Sequence, residues 1–361
     1  MPALQHIVIL CSRLDLPGGI ERAVVNTASL FVTKGHSVTL LILDEVSNLF
    51  YPVDPLVKII QQPLSFGITP EGNIITRKIK LLSDVLKLRK LVKQLQPDII
   101  IATEYPFAVA AVLSGAKKQS KVVSWEHHHF YELKKNIFWN EIFNLTYPRL
   151  YAVVCLNEDE KSLFGTANTN PVVIPNFIQP ATKADLTNKL LLTIGRLTSI
   201  KGTVLLLQTA KSVLLQHPNW QWKLIGDGDM KEQVLSFIEQ ENLQHRLILQ
   251  APIEHTILPE YQNAAIYVMT SRNECFPMTL LEAMSVGLPC ISFDCETGPR
   301  HIINNYEDGL LIEKENTGKL AAAISSLISN EEERKKMGEK AFQNIQRFSP
   351  ETIYRLWEQL F

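Results

Sequence analysis

The chain has 361 residues, too many for one ordinary hydrophobic core and enough for two. A hydrophobic share of 46% against 20% charged residues excludes a disordered chain, and a formal net charge of −1 argues against a nucleic-acid binder. The five cysteines (Cys11, Cys155, Cys275, Cys290, Cys295) are scattered without a C-x-x-C pair, which fits a reducing compartment better than a disulfide framework or a zinc site.

The start, Met1 to Leu10, has no basic region and too short an apolar run for a secretory signal. Ile7–Cys11 reads as a buried strand, a glycine-containing loop follows, and Glu21–Lys34 reads as a helix. A strand at Ser37–Leu43, a helix at Arg77–Leu95 stopped by Pro97, and a strand at Asp98–Ala102 come next. Further strands are expected at Lys121–Trp125 and Ala152–Leu156. The proline-flanked run Ile174 to Pro180 breaks the pattern, which puts the domains at 1–178 and 179–349. In the second half, strands are expected at Leu190–Ile194, Trp222–Ile225, Arg246–Gln250, Ile266–Thr270 and Cys290–Phe293. The apolar end, about 350–361, reads as a helix that packs back onto the first domain through Trp357 and Phe361. Strands alternating with helices predict an α/β protein with parallel sheets. No apolar stretch reaches the ~18 residues of a membrane-spanning helix, so the expectation is a cytoplasmic chain, at most peripheral on a membrane.

In open α/β sheets ligands bind beyond the carboxyl ends of the strands. Four polar loops of the second half fall there: Gly195 to Gly202, Gly226 to Asp229, Ser271 to Pro277 and Cys295 to Arg300. Arg196 and Lys201 stand before a helix opened by Gly202, where two cations and a helix N-terminus suit a diphosphate. A solvated loop with two surface cations is the alternative. Glu274 sits before a helix whose first turn Pro277 suits, and Glu282 lies about one turn inside it. Carboxylates on either side of a helix N-terminus match sugar hydroxyls, phosphates and ribose hydroxyls in that order. A dipole interaction for Glu282 and a plain surface charge for Glu274 are the competing reading.

The run Glu274-Cys275-Phe276-Pro277-Met278-Thr279-Leu280-Leu281-Glu282 closely resembles the E-x7-E signature of glycosyltransferase family 4, a retaining family of GT-B fold. Gly195-Arg196-Leu197 with Lys201-Gly202 resembles its diphosphate loop, and Gly18-Gly19-Ile20-Glu21-Arg22 its N-terminal glycine loop. Ser292 to Arg300 is most similar to members that build bacterial capsule, O-antigen or exopolysaccharide. The resemblance implies two Rossmann-like domains facing across a cleft, the first for the acceptor and the second for the nucleotide-sugar donor. It implies a hexosyltransferase that moves a hexose or N-acetylhexosamine from a UDP-sugar to a glycan or polyprenyl-diphosphate-linked acceptor, in surface polysaccharide or lipopolysaccharide synthesis. Glu274 would hold donor hexose hydroxyls and Glu282 the ribose. Arg196 and Lys201 would neutralise the diphosphate without a metal or other cofactor. Gly18 and Gly19 would admit the donor phosphate or acceptor closely, although a simple turn accounts for them too. His127 matches the family's cleft histidine, which contacts the transferring sugar, and the loop Cys275 to Thr279 would line the donor.

Three neighbouring histidines, His127 to His129, cannot all face one ion if they extend a strand, so no metal site is expected. Asp227-Gly228-Asp229 superficially matches a D-x-D metal motif, but Asp229 reads better as the N-cap of a helix beginning near Met230. Pro277 replaces a glycine common in the family and removes one N–H from the donor loop. A nucleotide-sugar epimerase of similar layout, or a non-catalytic sugar-nucleotide-binding partner, are the alternatives.

The helix Arg77–Leu95 carries Arg77, Lys78, Lys80, Lys87, Arg89, Lys90 and Lys93 against Asp84, with Leu81, Val85, Leu88, Val92 and Leu95 on one face. That pattern predicts docking on an anionic membrane surface, helped by Lys134, Lys135, Phe138, Trp139, Phe143 and Tyr147 nearby. An apolar face packed on the sheet is the competing reading.

Overall fold

The computed structural model describes residues 4–66, 74–132, 137–179, 181–253 and 256–361. Pro180, Lys134 and Lys135 lie outside them, as does the side chain of Phe138. The chain divides into two compact units, Met1–Pro175 with Glu351–Phe361, and Asn176–Pro350.

The first unit runs β1 (His6–Cys11), α1 (Gly19–Thr33), β2 (Ser37–Ile42), β3 (Lys58–Gln61), α2 (Ile74–Leu95), β4 (Ile99–Ala102), α3 (Tyr105–Leu113), β5 (Lys121–Trp125), α4 (Ile137–Thr146), β6 (Ala152–Cys155), α5 (Glu158–Gly165) and β7 (Pro171–Val173). Its strands form one parallel sheet in the order β3-β2-β1-β4-β5-β6-β7. Parallel strands covered on both faces must be near-continuous apolar runs, and β4, β6 and β1 beyond His6 are, with Ile7, Ile9, Ile100 and Val153 essentially inaccessible. The edge strands β3 and β7, which sequence reading does not single out, are half-buried or exposed, and β7 opens with a proline that an edge tolerates.

The second unit runs β8 (Leu190–Ile194), α6 (Thr203–Gln216), β9 (Gln221–Ile225), α7 (Lys231–Gln240), β10 (Leu247–Gln250), α8 (Leu258–Gln262), β11 (Ile266–Met269), α9 (Met278–Ser285), β12 (Cys290–Asp294), β13 (Gly309–Glu313), α10 (Thr317–Ser329) and α11 (Glu331–Asn344). Its parallel sheet has the order β10-β9-β8-β11-β12-β13. Each sheet reverses its winding once, between β1 and β4 and between β8 and β11, and a crevice opens beyond the strand ends at such a point. The last helix, α12 (Pro350–Glu358), packs on the first unit: Trp357 meets Phe31 and Trp125 edge-on, and Tyr354 hydrogen-bonds His36 at 2.8 Å.

Three expectations are corrected. Helix α1 starts at Gly19 rather than near Glu21, with Gly18 as its N-cap. On α2, Leu81, Val85, Leu88 and Val92 are core residues and Leu95 packs against the same core, so that stripe cannot face a membrane. Asp84, the acid of that helix, is also buried and accepts the Phe66 N–H at 3.1 Å. The neighbouring aromatics serve the core too: Phe143 and Tyr147 are buried and Trp139 packs against them partly covered.

Candidate functional site

Because all strands of a sheet run one way, every strand-to-helix loop of the second unit leaves from the same edge. The loops after β8 and β11 flank the reversal and are tied together. Arg272 donates its backbone N–H to Ile200 O at 2.8 Å, and Thr270 Oγ1 reaches Lys201 O at 3.1 Å. Gly202 sits at φ +69°, and a Cβ there would stand 1.9 Å from Thr270 O, so only glycine permits this contact. Held this way, Lys201 Nζ donates to Glu274 Oε1 at 2.6 Å, and the same oxygen accepts Ser271 Oγ at 2.7 Å.

Helix α9 begins at Met278, and Pro277 is its N-cap in extended conformation (φ −71°, ψ 113°) rather than part of the first turn. Proline's fixed φ suits that position, and its missing N–H leaves the loop with one donor fewer. Cys275, Phe276, Pro277 and Met278 are buried and Thr279 half-buried around the helix start. Glu282 lies within the helix, 5% exposed, and its Oε2 accepts the hydroxyl of the fully buried Tyr261 at 2.7 Å.

Thr297 and Gly298, in the loop after β12, hold Glu274 from behind. The Glu274 carbonyl accepts both the Gly298 N–H at 2.8 Å and the Thr297 hydroxyl at 2.5 Å. A Cβ on Gly298 would lie 2.7 Å from Pro277 Cδ and 2.9 Å from Glu274 Cβ. Sequence reading places this run among the polar loops at the sheet edge and notes its similarity; its support of Glu274 is visible only in three dimensions.

Arg196 is exposed and makes no side-chain hydrogen bond or ion pair among the described residues. Its neighbour Leu197 is fixed by the loop after β9, exchanging bonds with Asp227 O at 2.9 Å and the Met230 N–H at 3.0 Å. Asp229 is not the N-cap of α7; Met230 takes that place and the helix starts at Lys231. Asp227 instead accepts the Gly228 N–H at 2.8 Å and pairs with Lys231 at 3.2 Å, a local turn in which its carboxylate serves the backbone.

The first unit carries Gly18, Gly19 and His127 beyond the carboxyl ends of its own strands. The Glu21 carboxylate folds over Gly18, where a Cβ would lie 1.9 Å from Glu21 Oε2. The three histidines follow β5 rather than extend it. His127 packs on Trp125 with ring centroids 4.4 Å apart, and its Nε2 is buried with no hydrogen-bond partner among the described residues. Burial, then His128, lowers its pKa to about 3, so the ring is neutral at physiological pH. His129 points elsewhere, into a buried pair with Glu160 of α5, while His128 is exposed. No group of three metal-ligating side chains occurs among the described residues.

Glu104, the N-cap of α3 just past β4, is a carboxylate that sequence reading does not single out. Burial, then Glu126, Asp44 and Glu21, raises its pKa to about 7. Its signal in the sequence is only position: an acid directly after an apolar strand and before a proline-started helix. Glu126 is spoken for, accepting hydrogen bonds from Ser124 and Tyr147.

Two family models cover nearly the whole chain: "Glycosyltransferase Family 4" matches residues 17–182 and "Glycosyl transferases group 1" residues 176–344. An uncharacterized glycosyltransferase of Haemophilus influenzae is 27% identical over 366 residues, covering 98% of this chain and 99% of its own. The amylovoran biosynthesis glycosyltransferase of Erwinia amylovora is 28% identical over 372 residues, covering 99% of both chains. Among solved structures, a point mutant of S. aureus TarM in complex with fondaparinux, alpha-GlcNAc-glycerol and UDP shares the fold, with a TM-score of 0.82 at 16% identity over 99% of both chains. Paired parallel α/β units, the two matched models and these full-length likenesses agree: the chain belongs to glycosyltransferase family 4 and is a glycosyltransferase of GT-B fold.

Proposed function

We propose that this enzyme moves a hexose or N-acetylhexosamine from a UDP-sugar to a glycan or lipid-linked acceptor, with retention, in surface polysaccharide or lipopolysaccharide synthesis at the cytoplasmic side of a membrane. The observation that carries this reading is the contact between Lys201 and Glu274 at the reversal of the second sheet. A cation touching a carboxylate suits a ligand with an anionic group next to hydroxyls, which is a sugar joined to phosphate. The structural likeness to a protein solved with UDP and a GlcNAc-glycerol supports a UDP-sugar, and the amylovoran relative supports a polysaccharide product.

In the transfer, the bond from sugar C1 to the phosphate oxygen breaks, a bond from C1 to the acceptor oxygen forms, and the proton of the acceptor hydroxyl passes to the released UDP phosphate. Negative charge gathers on the departing diphosphate, where Arg196 and Lys201 supply fixed positive charge in place of a metal. Glu274 accepts hydrogen bonds from the hexose hydroxyls and Glu282 from the ribose. Pro277 offers the sugar no N–H, so the backbone contributes less to donor choice than the side chains around it. His127, neutral and with a buried Nε2 that has no partner among the described residues, is suited to one hydroxyl of the transferring sugar.

The test is a panel of UDP-sugars with and without lipid-linked and free glycan acceptors, reading UDP release and the anomeric coupling of the product. Release that depends on acceptor, with the donor's anomeric configuration kept, is the expected result. Conversion of the donor sugar without acceptor would favour an epimerase instead.

A further inference from the structure

With Leu81, Val85, Leu88 and Val92 committed to the core, α2 still carries a second apolar series. Ile79, Leu82 and Leu86 recur at steps of three and four and are 61%, 65% and 62% exposed. Side chains at these spacings share one face of a helix, so three large hydrophobics form a continuous outward stripe. Lys78, Lys80, Lys87, Arg89, Lys90 and Lys93 are all exposed around and beyond it. Asp84 faces the opposite way, with Lys80 and Lys87 leaning toward its Oδ1 at 3.9 and 3.6 Å. The outward surface of α2 is therefore apolar along its middle, cationic at its flanks and free of acid. A helix this cationic cannot cross a bilayer, and no helix among the described residues is long and apolar enough to do so.

We propose that the outward face of α2 is a membrane-docking surface, with Ile79, Leu82 and Leu86 entering the acyl boundary of an anionic lipid layer and the surrounding lysines and arginine meeting its headgroups. The apolar stripe gains by leaving water, and the cations gain from a negative surface potential. A solvated face has no need of three neighbouring aliphatic side chains, and an acidic macromolecule would use the cations alone. The surface rests on the proposed reaction only in its purpose, holding the first unit where a lipid-linked acceptor is found.

The experiment uses the whole protein with vesicles of phosphatidylcholine, with and without phosphatidylglycerol. One variant carries Ile79→Ser, Leu82→Ser and Leu86→Ser; another carries Lys87→Gln, Arg89→Gln, Lys90→Gln and Lys93→Gln. All these positions are exposed, and melting curves establish that both variants fold. Binding to the anionic vesicles is expected, with on the order of 100-fold weaker partitioning for the Gln variant and at least about tenfold for the Ser variant. The five native cysteines are buried, so a Leu82→Cys variant accepts an environment-sensitive dye at that site alone, and its emission is expected to shift to the blue on anionic vesicles. No dye shift, equal binding to both vesicle types, or undiminished binding by either variant overturns the proposal, as does binding to nucleic acid or an acidic protein but not to lipid. Transfer to a soluble acceptor is expected unchanged in both variants, so a failure of docking is told apart from a failure of the donor site.

Discussion

Lys201 and Glu274 are 73 residues apart in the chain, yet their side chains meet at 2.6 Å. The pair exists because β8 and β11 are neighbours across the reversal of the second sheet and their loops are laced by backbone bonds. With side chains 26% and 12% exposed, it is neither a screened surface pair nor a dry one. Lys201→Ala and Glu274→Ala are each expected to keep the fold and to lower kcat/KM. A charge-assisted hydrogen bond at the reacting end of the donor is worth about 1.5–3 kcal/mol, roughly a 10- to 100-fold effect on rate when it is removed. Steady-state rates beside melting curves check this, and wild-type rates in either variant would count against the assignment.

Gly298→Ala is expected to damage the same step from a distance. The added Cβ must displace Pro277 or Glu274, both closer than 3 Å to it, so kcat is expected to fall while affinity for UDP stays. Thr297→Val removes one of two bonds to the Glu274 carbonyl and is expected to cost about 1 kcal/mol, roughly fivefold. Kinetics with calorimetric UDP titration separates these outcomes from general destabilisation, which would weaken UDP binding as well.

Much of the fold was legible because buried parallel strands are unbroken apolar runs, as Ile99–Ala102 and Ile266–Met269 show. The strands that escaped reading are edges whose apolar runs are only two or three residues long: Ile59–Ile60 in β3, Val172–Val173 in β7 and Leu310–Ile312 in β13. Helix α2 misled for a different reason. It carries two apolar series, and periodicity alone does not say which one the sheet covers. The site was legible residue by residue where loops carried charge, but Glu104 was not. Its raised pKa comes from burial and from Glu126, Asp44 and Glu21, side chains distant from it in sequence.

That carboxyl gives the first unit a pH signature. Its folded pKa of about 7 lies above the ordinary 4.5, so the folded chain holds the proton more tightly than the unfolded one. The contribution of Glu104 to stability therefore falls as pH rises from about 4.5 to about 7, by on the order of 3 kcal/mol, and stays lowered above that window. Glu104→Gln is expected to raise the melting temperature at about pH 8 and to change it little at about pH 4. An equal effect at both values would contradict the shift.

Chelation addresses the leaving group. With Arg196 and Lys201 carrying the positive charge, transfer is expected to continue in EDTA at an undiminished rate. Loss of activity restored by magnesium or manganese would return Asp227 and Asp229 to consideration as metal ligands.

The proposed UDP-sugar site is built by the loops after β8 and β11 and by helix α9. Calorimetric titration of UDP into wild type, an Arg196→Ala and Lys201→Ala double variant, and Glu282→Ala tests it most directly. Binding by wild type, with at least about tenfold weaker affinity in each variant, is the predicted result. Wild-type affinity in both variants, or no UDP binding by the wild type, would contradict it.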